Sequence, residues 1–387
     1  MAAVTAPLTG DDLRIAGAAG IAVFENRLIL DAQPPIDDDT LRAVAARCTG
    51  TLPPGLVTLW RTTFGGRIDY RPGDQLSFTE LFYPDSDGYQ DLWGWIDHEA
   101  ETSGTDRLRF LPFGGFEYLD RLYVDTAPGP EHGAVVYWQQ GLPPGWELIE
   151  DDRAGAFAAG VPELFRRLAL EDDPWGDEGA GTGSELRDAV DELAEEEPDV
   201  AAKLRDLVRA TVLDWRAALT GGTVAADPRL RRLAIDRVAA AGDTATLERL
   251  AAAGCDLAEP VRSDLTAIDI ALLGGHLDTV ERLLGRDVPV VNTLRAGAHA
   301  AGPDLARRLI DRGAVVTADA VDRALDDGDP EVIRMLAGHL PTTDGLRDAA
   351  TRIRMLAAQA RQAAERSGDD RDRRRAEVLT ELADRAG

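Results

Sequence analysis

"FLPFGGFEYLDRLYVD", residues 110–125, decides how the first half of the chain is read. Its density of aromatics and glycines is that of a ligand-site lip, and its alternation is that of a strand pair. The alternation puts Phe116, Tyr118 and Leu122 on strand faces and predicts a bend at Gly114-Gly115. Aromatics so placed fill a core, and the polar side left over is acidic: Glu117, Asp120 and Asp125. Period-two runs continue on both sides, in "QLSFTELFY" (75–83), "RLRFLPF" (107–113) and "AVVYW" (134–138). Helical signals flank them. Residues 39–49 read as a helix, and so does the proline-started "LPPGLVTLWRTTFGG" (52–66), with Leu56, Leu59, Trp60 and Phe64 inward and Gly65-Gly66 ending it. An amphipathic helix near 160–170 closes an α+β domain over residues 1–170.

The next segment, "EDDPWGDEGAGTGS" (171–184), is acidic and glycine-rich. "GAGTGS" is superficially similar to a phosphate loop but lacks the preceding strand and the Gly-Lys-Ser/Thr that such a loop needs. A flexible linker is the expectation, followed by bridging or capping helices over 185–224. Beyond it the chain repeats itself. "AGDTATLERLAAAGCDL" from Ala241 returns as "GGHLDTVERLLGRDVPV" from Gly274, 33 residues later. Shorter copies follow in "AGPDLARRLIDRGAVV" and "GDPEVIRMLAGHL", so helix pairs are expected to stack over 225–340. Residues 341–387 carry two further apolar stripes, read as capping helices. Leu346, Ile353, Leu356 and Ala360 form one, and Val378, Leu379 and Leu382 the other.

The 387 residues carry a net charge of −27. It is uneven: −13 over 1–170, −12 over 171–199 and −2 over 200–387. Such a field repels nucleic acid and anionic membranes and draws in basic partners. No run of apolar residues is long enough to span a bilayer, and the N-terminus lacks the pattern of a signal peptide. With two distant cysteines, Cys48 and Cys255, the expectation is a reduced cytoplasmic protein. Of 42 basic residues only Lys203 is a lysine, a bias that points to a GC-rich bacterial genome.

Chemistry is hard to find. The five histidines form no metal-ligand spacing with either cysteine, and no Gly-x-Ser-x-Gly elbow is present. "YPDSDGYQD" (83–91) is similar to a calcium loop through Asp85, Asp87 and Gly88, but it lacks the distal glutamate, and a turn carrying Asp85, Asp87 and Asp91 explains it. In "DLWGWIDHE", Trp93 and Trp95 would share one face of a strand, either as core or as partner-facing hot spots. No catalytic residue, cofactor or metal site is expected.

Two resemblances extend this reading. "LPPGLVTLWRTTFGG", "RFLPFGGFEYLDRLYVD" and "HGAVVYW", in that order, resemble the SUKH superfamily, which joins yeast cell-wall-assembly regulators to bacterial immunity proteins. The family's Gly-Asp is Leu119-Asp120 here. "TAIDIA" (266–271) and "GHLDTVERLL" resemble ankyrin repeats, with no histidine in the first-helix motif. The resemblances imply a SUKH-like antiparallel sheet with flanking helices followed by an all-α ankyrin-like solenoid. They imply a non-catalytic antidote that binds a cognate toxin of a polymorphic toxin system, and the acidic charge adds the expectation that this toxin is basic, as a nuclease is. The alternative is an intracellular scaffold or regulator unrelated to toxins. The expected contact face is Asp85, Asp87, Asp91, Trp93, Trp95, Asp97, Glu99, Glu101, Glu117, Asp120 and Asp125, with no direct nucleic-acid or membrane contact.

Overall fold

The structure is a computed structural model that describes residues 7–71, 78–86, 91–116, 119–140, 153–176, 182–340 and 350–386. The chain forms two compact units, 1–213 and 214–387.

The first unit is α+β. Helix α1 (Gly10–Ala18) starts in a reciprocal capping box between Thr9 and Asp12. A hairpin follows, β1 (Ala22–Phe24) with β2 (Arg27–Ile29), whose turn residues Glu25 and Asn26 both have positive φ, as a tight two-residue hairpin demands. Helix α2 (Asp38–Ala46) is capped by Asp37, and α3 (Pro54–Thr62) begins on proline. Six strands make one antiparallel sheet in sequential order: β3 (Gly66–Arg67), β4 (Glu80–Leu81), β5 (Phe110–Phe116), β6 (Asp120–Asp125), β7 (Val135–Gln139) and β8 (Arg153–Ala158). Helices α4 (Leu92–Ser103), α5 (Val161–Arg167), α6 (Ser184–Glu196) and α7 (Pro198–Arg209) complete the unit. Leu56, Leu59 and Trp60 are fully buried, and Phe165 takes Phe24 edge-on at 4.9 Å.

Two expectations are corrected. Gly114-Gly115 is not a bend: both glycines lie inside β5, beside a bulge between Pro112 and Gly114. A Cβ on Gly115 would sit 2.0 Å from the Asp120 carbonyl oxygen, so their smallness serves close strand approach. "DLWGWIDHE" is not a strand but the start of α4, with Asp91 as N-cap and Gly104 closing it in the left-handed conformation. The helices after the acidic segment, expected to bridge or cap, pack on the first domain. Leu186, Val190, Leu193, Val200, Ala201, Leu204 and Val208 join its core.

The second unit begins with α8 (Trp215–Thr220) and continues as four helix pairs: α9 (Pro228–Ala240) with α10 (Thr244–Ala252), α11 (Ala267–Leu273) with α12 (Leu277–Leu284), α13 (Thr293–Gly297) with α14 (Pro303–Asp311), and α15 (Ala318–Asp327) with α16 (Pro330–His339). First helices pack on first helices along the row, α10 packs on α12, and α14 packs on α16. Polar fasteners join successive pairs. The His276 ring meets the Ala240 carbonyl at 2.7 Å, the Thr279 hydroxyl donates to the Gly242 carbonyl, and Arg308 forks onto Glu281. A hairpin of α17 (Ala350–Ser367) and α18 (Asp370–Ala386) covers α16, burying Ile353, Val378, Leu379 and Leu382. Leu346 lies outside the described residues. Among the described residues no helix is long and apolar enough to cross a membrane.

Candidate functional site

Among the described residues the expected acidic face is split between buried and exposed side chains. Asp87 and Glu117 lie outside the described residues. Asp91 is occupied twice, capping α4 by accepting from Gly94 N at 2.7 Å and bracing the preceding turn by accepting from Asp85 N at 3.1 Å. Asp120 and Asp125 are buried, at 3 % and 2 % exposure. Asp125 takes the Arg109 guanidinium on one oxygen, at 2.7 and 2.9 Å, and the Ala127 N–H on the other. Trp95 is a core residue stacked on Phe82, and Trp93 is half-buried against the same core. Asp85, Asp97 and Glu101 are exposed, and Asp97 pairs with Arg47.

Under this face lies a cluster that residue types alone did not single out. Arg121, on β6, is buried between the rings of Trp95 and Trp138 at 4.3 and 4.2 Å. It donates to the Tyr123 hydroxyl, which donates in turn to Glu99 at 2.8 Å. The cationic charge is thus held by two π faces and a carboxylate. Burial pushes the Tyr123 phenol far above its ordinary range. Glu99 is half-buried and committed to this cluster, so it serves the packing of α4 on the sheet.

Carboxylates do converge elsewhere in the first unit. A cleft of 530 Å³ opens between the end of α1, the exit of β2, Arg67 and the outer face of α6. Ile21, Leu30 and Leu193 form its floor, and Asp31, Glu185, Asp188, Glu192, Glu195 and Glu196 line it. The spacing on α6 explains the row, since steps of three and four residues return to one helix face. Arg67 closes one end by pairing with Asp31 at 2.7 Å and Glu185 at 2.5 Å. Among the described residues Glu192, Glu195 and Glu196 have no basic partner. The sequence signal for this cleft was the charge of −12 over residues 171–199, read there as linker and bridge rather than as the wall of a site.

The groups able to do covalent chemistry are placed elsewhere. Burial pushes the Cys48 thiol up to about 11, and it raises that of Cys255. Neither is poised as a thiolate. His98 stands edge-on to Trp95 and His132 lies 3.5 Å from the Thr51 hydroxyl; neither lines the cleft. Among the described residues no three His, Cys, Asp or Glu side chains are grouped to hold a metal ion. No protein-family model matches this chain, and no curated protein matches it.

Proposed function

We propose that the chain is a non-catalytic, cytoplasmic bacterial immunity protein that binds and neutralises a cognate basic toxin of a polymorphic toxin system. A nuclease is the toxin class that an acidic antidote opposes most directly, because a surface that binds nucleic acid is itself basic. The SUKH-like and ankyrin-like resemblances supply the class of protein. The observation that carries the reading is the cleft beside α6. Among the described residues three of its carboxylates have no basic partner, in the most acidic segment of the chain. Complementary charge of this kind raises the rate of encounter more than it raises affinity.

The test is the association rate of the full chain with the product of a neighbouring secreted-toxin gene, measured at low and physiological ionic strength. Association is expected to slow several-fold or more as salt rises. The triple change Glu192→Lys, Glu195→Lys, Glu196→Lys should slow it by at least tenfold at low salt. The change Asp85→Lys, Asp97→Lys, Glu101→Lys should slow it much less. Salt-insensitive association would sink the steering mechanism. Capture of only endogenous enzymes from the native cytoplasm would favour the scaffold reading instead.

A further inference from the structure

We propose that the cleft beside α6 is a docking groove for an arginine side chain presented by the partner protein, a proposal that rests on reading this cleft as the partner-binding surface. The cleft encloses 530 Å³ over an apolar floor of Ile21, Leu30 and Leu193. It already holds one guanidinium. Arg67 lies with its Nε 2.7 Å from Asp31 and an outer nitrogen 2.5 Å from Glu185, so it bridges the exit of β2 to the start of α6. Further along the same helix Glu192, Glu195 and Glu196 line the cleft with exposed carboxylates. Among the described residues these three have no basic partner. The acids of the Arg67 end recur there without an arginine between them.

The end of α6 supplies a second, independent argument. A helix C-terminus carries partial negative charge, so it favours cations and is destabilised by acids. The last turn of α6 has no basic residue and ends on Glu195 and Glu196, one turn beyond Glu192. This breaks the charge rule for helix ends, and such local inconsistencies are characteristic of functional sites. A cation docked there relieves the strain. The shape then selects the cation. A cube of 530 Å³ is about 8 Å on a side, whereas a helix with its side chains is about 10–12 Å across. Side chains therefore enter the cleft and a whole helix does not. An arginine lays its aliphatic stem along the apolar floor. Its planar fork engages carboxylate oxygens in pairs, as Arg67 engages two separate carboxylates. A lysine offers a compact, more strongly hydrated charge without the fork.

Titration calorimetry on the full chain at low salt tests this with three probes of equal charge. They are a blocked heptapeptide, Gly-Ala-Arg-Ala-Arg-Ala-Gly, its counterpart with lysine for arginine, and the diamine cadaverine. The arginine peptide should bind saturably and at least about fivefold more tightly than either other probe. The triple change Glu192→Gln, Glu195→Gln, Glu196→Gln should weaken it by at least about tenfold. The melting point should stay the same or rise in that variant, because acids leave a helix C-terminus. Neutralising three exposed acids elsewhere, by Asp85→Asn, Glu101→Gln and Asp311→Asn, should weaken binding less than about twofold. Arg67→Gln should tighten it several-fold, because Asp31 and Glu185 then lose their counter-ion. Equal affinity for the two peptides, or for cadaverine and the arginine peptide, would overturn the arginine assignment. Weaker binding in Arg67→Gln would overturn the parallel with the internal guanidinium. Equal losses in the two triple variants would show diffuse attraction and sink the groove, as would the absence of saturable binding. None of these outcomes decides whether the chain neutralises a toxin, which is read separately from the salt dependence of association with the toxin itself.

Discussion

At the scale of residues, the single lysine is the clearest case of a charge with a structural task. Lys203, on α7, donates to Asp12 Oδ2 at 2.7 Å, and that oxygen also accepts the Thr9 N–H and hydroxyl. Lys203 and then the Thr9 bonds pull the Asp12 carboxyl down to about 2. A carboxyl whose folded value is depressed stabilises the fold fully above its unfolded value. That contribution is lost as pH falls from about 3.8 toward about 2. Asp12→Asn is therefore expected to lower the urea midpoint near pH 6 and to flatten its decline on acidification to about pH 3. Parallel declines in the two proteins would show that the pair is not the acid-sensitive group. The acidic face of the α+β unit teaches the complementary lesson. Alternation correctly assigned Phe116 and Leu122 to strand faces, yet it carries no information on what covers the opposite face. Trp95 and Glu99 of α4 cover Arg121 and Tyr123, and Arg109 seals Asp125, so residues that look like surface acids by type are spent inside the fold.

At the scale of elements, strong periodicity was legible and weak periodicity was not. The repeats announced themselves because each pair must bury one face on its neighbour, so the same apolar positions recur. Gly242 and Gly275, 33 residues apart, take nearly the same left-handed φ, 67° and 73°. Helix α4 escaped because Trp93 and Trp95 mimic a period of two and Gly94 is a poor helix former. The informative signal was Asp91, an N-cap residue, with Gly104 thirteen residues later. The contact of α11 with α13 yields a prediction at this scale. A Cβ on Gly297 would lie 2.6 Å from Leu272 Cγ and 2.7 Å from the Leu272 carbonyl carbon. Backbone cannot swing aside as a side-chain tip can. Gly297→Ala gains at most about 1 kcal/mol in helix propensity, while overpacking costs about 1–3 kcal/mol. A net loss of one or two kcal/mol in the second unit is expected in denaturant unfolding. Gly338→Ala, with nothing within 4 Å of its added Cβ, should be neutral or stabilising. The reverse order would mean that α11 and α13 do not pack at backbone distance.

At the scale of the whole molecule, the decisive question is where the first unit ends. Composition put a boundary at the acidic, glycine-rich run of 171–184, because such runs are usually solvated. What composition missed is that α6 has two faces with opposite duties and that α7 packs into the core beside it. The outer face of α6 carries carboxylates of the cleft, and the inner faces of both helices carry Leu186, Val190, Leu193, Val200, Leu204 and Val208 into the core with Phe165 and Ile29. The Arg209–Asp173 ion pair and the backbone bonds of Leu170 with Thr211 and Leu213 fasten the segment at its end. Burying a Val or Leu side chain contributes about 1.5–3 kcal/mol, so these six supply on the order of 10 kcal/mol. A domain's entire net stability is about 5–15 kcal/mol. A fragment of residues 1–170 is therefore expected to be molten or aggregated, while a fragment of residues 1–213 unfolds in one cooperative transition. Near-ultraviolet circular dichroism and a urea titration of the two fragments check this. A cooperative transition in the shorter fragment would show that α6 and α7 are an appendage. In that case the wall of the acidic cleft could move without the core, and charge steering would act through a mobile arm rather than a fixed surface.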